Sequence, residues 1–256
     1  MRQIKYYLFS LKYKSSIDFI FAIGNKGREC FERTVFESRR IFDWGYFTEA
    51  KEVHQKPYQI ENKQDVNLIY VGRLTKSKGI LKLVKNCKEL ENEFSSLTII
   101  GDGAERKNLE EMIGDSLKYK YLGTKPNKEV LDAISRADLM VLPSTGKDGW
   151  GAVINESLML GVPVIASNYC GASVLLDGDV RGEVFSVEKD NLLPVLKKWV
   201  EKGKYTEGDR GKIIAWSKKN ISGRAAANYF LDVINFTYNN ELGIPRAPWL
   251  SDICYY

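Results

Sequence analysis

The sequence predicts an α/β protein built on a doubly wound parallel sheet. Two observations carry that reading. From Asn67 onward, short apolar runs alternate with helical stretches of about ten residues. The runs are continuously apolar, as strands covered on both faces must be. Right-handed crossovers between parallel strands then give a Rossmann-like domain.

Strands are expected at 68–71, 97–100, 119–122, 139–142 and 162–166. The intervening helices are expected at 80–90, 104–113, 128–136 and 152–160. In the first of these, Leu83, Val84, Cys87 and Leu90 share one face. After the last strand, 192–200, 212–219 and 224–238 read as successive helices, and Pro245 and Pro248 limit helix after Gly243. Upstream, 17–23 is a strand-like apolar run and 26–36 a charged, helix-like stretch, and the pattern breaks at 44–47. Residues 51–65 are polar, contain Pro57 and have no periodicity, so they read as a linker. The expected organisation is therefore an N-terminal segment 1–50, a linker 51–66, a main domain 67–222, and a C-terminal helix and tail 223–256.

Composition narrows the class. Hydrophobic residues at 44% and charged residues at 28% match a soluble globular protein and not a disordered tail. The net charge of +5 suits a phosphate-bearing ligand or an anionic membrane surface, and equally no charged partner. Cys30, Cys87, Cys170 and Cys254 are far apart and form no CxxC pair, which argues against zinc and for buried thiols in a reducing compartment. His54 is the only histidine, so a multi-histidine metal site is excluded. No run approaches the roughly 18 apolar residues of a membrane span. The first fourteen residues are basic and aromatic. They form either a helix packed on the protein or a basic amphipathic helix lying on a membrane surface.

In a sheet of this kind ligands bind at the C-terminal ends of the strands. The first such loop is Gly72-Arg73-Leu74-Thr75-Lys76-Ser77-Lys78-Gly79. It is glycine-flanked, cationic and opens a helix, which favours an anion, although the P-loop spacing is absent. The second, Gly101-Asp102-Gly103, has Arg106 where a dinucleotide fingerprint needs a third glycine, so it reads as a tight strand-to-helix turn. The third comes after 139–142 and contains Asp148, Gly149, Trp150 and Gly151, before a helix carrying Asn155 and Glu156. Its glycines allow close backbone approach, the helix start favours phosphate, and carboxylates suit sugar hydroxyls.

In this order the stretches resemble the donor domain of family 4 retaining glycosyltransferases, of GT-B fold. The match runs from Tyr70-Val71-Gly72-Arg73-Leu74 and Lys78-Gly79 through Gly101-Asp102-Gly103, Leu122-Gly123, Ala137-Asp138-Leu139 and Leu142-Pro143-Ser144. It continues with Asp148-Gly149-Trp150-Gly151 to Glu156, 161–166 and Cys170-Gly171-Ala172. The resemblance implies the C-terminal half of a GT-B architecture and a basic pair, Arg73 and Lys78, that holds the nucleotide diphosphate and offsets charge on the leaving group. It implies that Asp148 contacts the transferred sugar and that Glu156 binds the ribose. Gly72, Gly149, Trp150, Gly151 and Ala152 would line the sugar and diphosphate, and Gly123 and Thr124 would lie near the base. No metal or separate cofactor is implied. The donor is a nucleotide-diphosphate sugar, with a uridine-diphosphate sugar favoured.

Two departures stand out. Asp148 replaces the family's commoner Glu, one methylene longer. Residues 1–50 match only the end of the family's N-terminal acceptor domain, so the expectation is a truncated enzyme. Its acceptor side would need a separate subunit or self-association. The resemblance implies a cytoplasmic enzyme of surface-polysaccharide synthesis, acting on a glycan or lipid-linked acceptor, alone in the cytoplasm or peripheral at the inner face of the membrane. A non-catalytic nucleotide-sugar-binding module, or an inactive remnant, is the alternative. A nicotinamide oxidoreductase fails on Arg106 and on the missing downstream acid. A sugar-nucleotide epimerase fits the 148–156 stretch less well. Scattered lysines argue against nucleic acid.

Overall fold

The computed structural model describes residues 2–49, 65–146, 148–239 and 243–250. Most of the expected linker (51–64), His54 and Cys254 lie outside the described residues. Contacts divide the chain into two compact units, Ala50–Ser217 and Met1–Glu49 with Lys218–Tyr256.

The larger unit holds a six-stranded parallel sheet. In chain order its strands are β3 (Asn67–Val71), β4 (Ser96–Ile100), β5 (Tyr119–Tyr121), β6 (Leu139–Leu142), β7 (Val164–Ser167) and β8 (Gly182–Phe185). Their order across the sheet is β5-β4-β3-β6-β7-β8, and every pairing is parallel. This is the doubly wound arrangement expected from the alternating pattern. All of β6 and β7 is buried, so these central strands tolerate no polar alternation.

Helices cover the sheet: α3 (Ile80–Glu89), α4 (Arg106–Ile113), α5 (Asn127–Arg136), α6 (Ala152–Met159), α7 (Leu192–Lys202) and α8 (Glu207–Asn220). The α3 face of Ile80, Leu83, Val84 and Cys87 is buried at helical spacing. Helix α6 buries Ile154, Asn155, Ser157, Leu158 and Met159, nearly all round.

Strand order reverses between β3 and β6, the switch point where such sheets open a crevice. The ladder there pairs only Leu68 with Leu139 and Ile69 with Met140. Toward their outer neighbours the same strands stay paired further on, Val71 with Ile100 and Leu142 with Ala166. The two strands therefore part before their C-terminal ends.

The smaller unit contains α1 (Arg2–Tyr13), β1 (Ile20–Ile23), α2 (Gly24–Glu32), β2 (Ile41–Trp44), α9 (Gly223–Asn239) and a 3-10 turn at Pro248–Leu250. Strands β1 and β2 pair in parallel. Ala22, Phe36 and Ile41 form a small core with Ile17, Ile20 and Phe31 around it. Helix α9 adds aromatic contacts: Phe21 to Tyr229 at 6.0 Å, Trp44 stacked on Tyr229 at 5.8 Å, and Phe42 to Phe236 at 6.0 Å between ring centroids.

Several boundaries differ from expectation. The stretch 44–47 is not simply a break, because Trp44 ends β2. Strand β8 was not expected. Helix α8 starts five residues before the expected 212, with Glu207 and Asp209 in its first turn, where acids suit the helix dipole.

Candidate functional site

The loop after β3 turns through a short 3-10 stretch, Lys76–Lys78, and ends at Gly79 with φ of +71°. A side chain at Gly79 would meet the Pro143 carbonyl oxygen 2.1 Å from its Cβ, so glycine is required for the β3 loop to dock on the β6 loop. Backbone bonds complete the docking: the Thr145 and Gly146 amides donate to the Ser77 carbonyl at 2.8 and 3.1 Å. On the other side the Leu74 amide donates to the Asp102 carbonyl at 2.9 Å. The Gly101-Asp102-Gly103 turn thus braces the cationic loop, which is a structural use of that motif.

These contacts bring two candidate residues together across the switch point. The Lys78 ammonium donates to Asp148 Oδ2 in a largely buried ion pair. Ser144 Oγ donates to the same oxygen at 3.1 Å. The Asp148 backbone is fixed as well, its amide on the Tyr169 carbonyl at 3.2 Å and its own carbonyl accepting from the Gly171 amide at 3.3 Å. Asp148 is thus a carboxylate whose backbone is tied to the 169–171 segment, with a cation at one oxygen.

Arg73 is exposed at the mouth of the β3 loop. Its carbonyl accepts from the Tyr70 hydroxyl at 2.8 Å. Burial drives the Tyr70 hydroxyl far above the usual tyrosine range; the Asp148 charge adds to this and Arg73 opposes it. Tyr70 therefore stays a neutral donor that sets the course of the chain at Gly72 and Arg73.

Gly151, with φ of +88°, caps α6, and Ala152 is the first helical residue. Glu156 lies in the second turn and is half-buried. Gly149 is exposed. Gly123 and the exposed Thr124 come just after edge strand β5, two strands from β3, or about 10 Å at ordinary strand spacing.

Trp150 departs from expectation. Its side chain is 2% exposed and its Nε1 donates to Asn155 Oδ1 at 2.7 Å, inside the core. The indole therefore anchors the loop and presents no face to a ligand; only the backbone of 149–151 can line a site. The indole N–H needs a buried partner, and Asn155 five residues later was the available signal.

Ser144 and Cys170, residues with no role expected from sequence, extend the cluster. Burial pushes the Cys170 thiol up, Ser167 opposes this by a hydrogen bond, and Asp148 adds to it. Cys170 is accordingly a packed thiol. Among the described residues no group of three or more His, Cys, Asp or Glu is arranged to hold a metal ion.

The family model described as "Glycosyl transferases group 1" matches residues 51–208, more than half of the chain. The capsular polysaccharide biosynthesis glycosyltransferase CapM of Staphylococcus aureus is 31% identical over 181 residues, covering 68% of this chain and 46% of that protein. The putative teichuronic acid biosynthesis glycosyltransferase TuaC of Bacillus subtilis is 36% identical over 107 residues, covering 42% of this chain and 26% of that protein. Among solved structures, Anabaena Alr3699/HepE in complex with UDP and glucose superposes with a TM-score of 0.69 at 16% identity, covering 91% of this chain and 67% of that one. That likeness is one of fold, the α/β GT-B type. The chain spans between about a quarter and a half of the length of the curated relatives it matches.

Proposed function

Since this chain belongs to the group 1 glycosyl transferases, we propose that it transfers a sugar from a nucleotide-diphosphate sugar to a glycan or lipid-linked acceptor in surface-polysaccharide synthesis. The observation that carries the reading is the Lys78–Asp148 pair, set where β3 and β6 part and beside the N-terminus of α6. At a switch point, a cation and a helix start suit the phosphates of a nucleotide sugar, and a carboxylate suits its sugar hydroxyls.

Each residue then has a task. Arg73 and Lys78 hold the diphosphate and offset the negative charge that grows on it as the glycosidic bond breaks. Fixed charges of this kind work because they need no reorganisation during reaction. Lys78 has three N–H donors, so it can keep Asp148 while donating to a phosphate. The hydrogen bonds described for the Asp148 side chain end on Oδ2. Oδ1 is the oxygen proposed to accept from a sugar hydroxyl. The backbone of Gly149 to Ala152 approaches sugar and phosphate, Glu156 takes the ribose, and Gly123 and Thr124 flank the base.

Donor chemistry is constrained less tightly. A uridine-diphosphate sugar is favoured, in keeping with the UDP bound by Alr3699/HepE. The names of CapM and TuaC support a polysaccharide product. Residues 67–222 form the donor side in this reading. Retention of anomeric configuration and a hexosyl donor are part of it, and the acceptor side is completed by a partner subunit or a second copy.

Calorimetric titration with nucleoside diphosphates and nucleotide sugars tests the donor site directly. Selective binding is expected, weakened about tenfold or more in Arg73→Ala and Glu156→Ala, since hydrogen bonds to charged groups carry about 1.5–3 kcal/mol. A well-folded chain that binds none of the panel overturns the proposal. Binding without turnover toward any acceptor points to a nucleotide-sugar-binding module.

A further inference from the structure

The smaller unit has a cleft of about 470 Å³ where its two strands begin. Asp18 lies two residues before β1, and Arg39 and Arg40 belong to the 3-10 turn Ser38–Arg40 that leads into β2. Phe236 and Tyr238, in the last turn of α9, line the cleft with them. Clefts for small ligands run from roughly 300 to 1,000 Å³. Parallel α/β sheets bind the molecules they act on at the C-terminal ends of their strands. A cleft at the strand starts is therefore a separate site.

The lining is fixed in place. The Tyr238 hydroxyl donates to Asp18 Oδ2 at 2.8 Å, yet the residue is 60% exposed. Its ring is thus anchored at one end with a face left to solvent. The Phe236 ring is backed edge-on by Phe42, with 6.0 Å between centroids. Arg40 Nε and Nη2 donate to the carbonyls of Asp18 and Ile17, each at 2.7 Å, which ties the turn before β2 to the segment before β1. Arg39 Nε donates to Glu37 Oε2 at 2.7 Å while the arginine side chain stays 69% exposed. That bond uses Nε, so the outer N–H groups of the guanidinium can reach a ligand.

The chemistry of the lining selects the ligand. Asp18 and Glu37 balance Arg39 and Arg40, so an anion meets two carboxylates along with two guanidinium groups and gains no net attraction. An amphipathic peptide helix needs a continuous apolar groove, whereas this cleft offers two rings among four charged side chains. Sugar hydroxyls both donate and accept, which suits acceptors and donors set side by side. The C–H face of a pyranose can lie on an aromatic ring. We propose that this cleft binds an uncharged oligosaccharide, one ring lying on Tyr238 and its hydroxyls shared between Arg39 and the carboxylates of Asp18 and Glu37. The site goes beyond the transfer reading and does not depend on it, since the donor loops belong to the other unit.

Ligand-observed NMR titration of the full chain with maltotetraose, cellotetraose and β-1,4-galactotetraose tests the cleft, with inorganic phosphate and tetragalacturonate as charged probes. At least one neutral tetrasaccharide is expected to bind with a Kd near or below about 1 mM. Tyr238→Ala and Arg39→Ala should each weaken that binding about tenfold. Tyr238→Phe keeps the ring but frees it from Asp18, and should lose about threefold. Saturating uridine diphosphate should leave the binding unchanged. Melting curves of each variant separate lost binding from lost fold, since both side chains are exposed. The proposal is overturned if the folded chain binds none of the three neutral tetrasaccharides below about 10 mM. It is equally overturned if phosphate or tetragalacturonate binds more tightly through Arg39, if uridine diphosphate displaces the sugar, or if folded Tyr238→Ala binds as wild type. Oligosaccharide binding by a chain that binds no nucleotide would support this site and remove the donor reading alone.

Discussion

Strand β6 carries an aspartate just before its start and another shortly after its end; Asp138 is buried and Asp148 is partly buried. Asp138 Oδ2 accepts from the Asn67 amide at 2.7 Å and from the Asn67 side chain at 3.2 Å. Asn67 in turn accepts from Ser96 Oγ at 2.8 Å, so one carboxylate ties the starts of β6, β3 and β4. Buried Arg210 stands nearby, donating to the carbonyls of Ser135 and Ala137. Asp148, at the other end, is held by two side chains, Lys78 and Ser144. Burial separates them only in degree. The partners separate them further: the backbone amide and side chain of one strand residue, Asn67, at the closed end of the sheet, and side chains from two loops at the end where the strands part. The first arrangement serves the fold, and the second can exchange its partners for a ligand.

The largest expected effects test this contrast directly. Asp138→Ala removes a buried acceptor and a counter-charge to Arg210, which should lower stability by about 3 kcal/mol in urea unfolding. Nucleotide affinity per folded molecule should not change. Asp148→Ala should show the opposite balance: a smaller stability loss of about 1–2 kcal/mol, because the partly exposed Lys78 can reach water, but roughly a hundredfold loss of transfer rate. Asp138→Ala proteins that stay stable but no longer bind nucleotide would break the comparison.

A smaller effect sharpens the account of the loop itself. Trp150→Phe keeps an aromatic ring but leaves a small cavity and removes the indole N–H that donates to the buried Asn155 oxygen. The cost should be about 1–2 kcal/mol of stability. Sugar-nucleotide affinity should change by less than about threefold when measured below the new melting temperature, an equivalent of well under 1 kcal/mol. A selective loss of affinity for the sugar but not for the nucleoside diphosphate would return the indole to the site.

The fold was legible where burial is uniform. Strands β3, β4, β6 and β7 are nearly unbroken apolar runs, and covering on both faces leaves them no other pattern. Strand β8 was not legible because its four residues include Gly182 and Glu183, and the glutamate is absorbed by Lys198 and Trp199 Nε1, both at 2.7 Å. In β2, Asp43 interrupts the apolar signal, and Arg28 balances it at 3.2 Å. Of the candidate site, the loops bearing Lys78 and Asp148 could be found from the residues at the C-terminal end of each strand. That the two side chains meet could not, because it depends on Gly79 letting one loop settle on the other. Side-chain direction was the weakest inference, as Trp150 shows, since residue type says nothing of which way a loop side chain points.

The smallest effect is a difference of sign with pH. Burial raises the Asp138 carboxyl above the ordinary aspartate range, with the Asn67 amide, Lys204 and Arg210 opposing. The folded state therefore holds this proton more tightly than the unfolded chain, and stability from this group rises as pH falls through the window just above the ordinary value. Glu188 is exposed and its pKa is lowered to about 2 by hydrogen bonds from Asn168, a backbone amide, Ser186 and Tyr169. Its contribution is present above the ordinary glutamate value and is lost as pH falls toward about 2. Urea midpoints measured from neutral to acid pH should thus diverge in opposite directions. The margin of wild type over Asp138→Asn should widen on acidification, because the protonated acid replaces a costly buried charge. The margin over Glu188→Gln should shrink. Parallel curves for wild type and Asp138→Asn would mean that Asn67 and Arg210 fully compensate the buried charge at the closed end of β6.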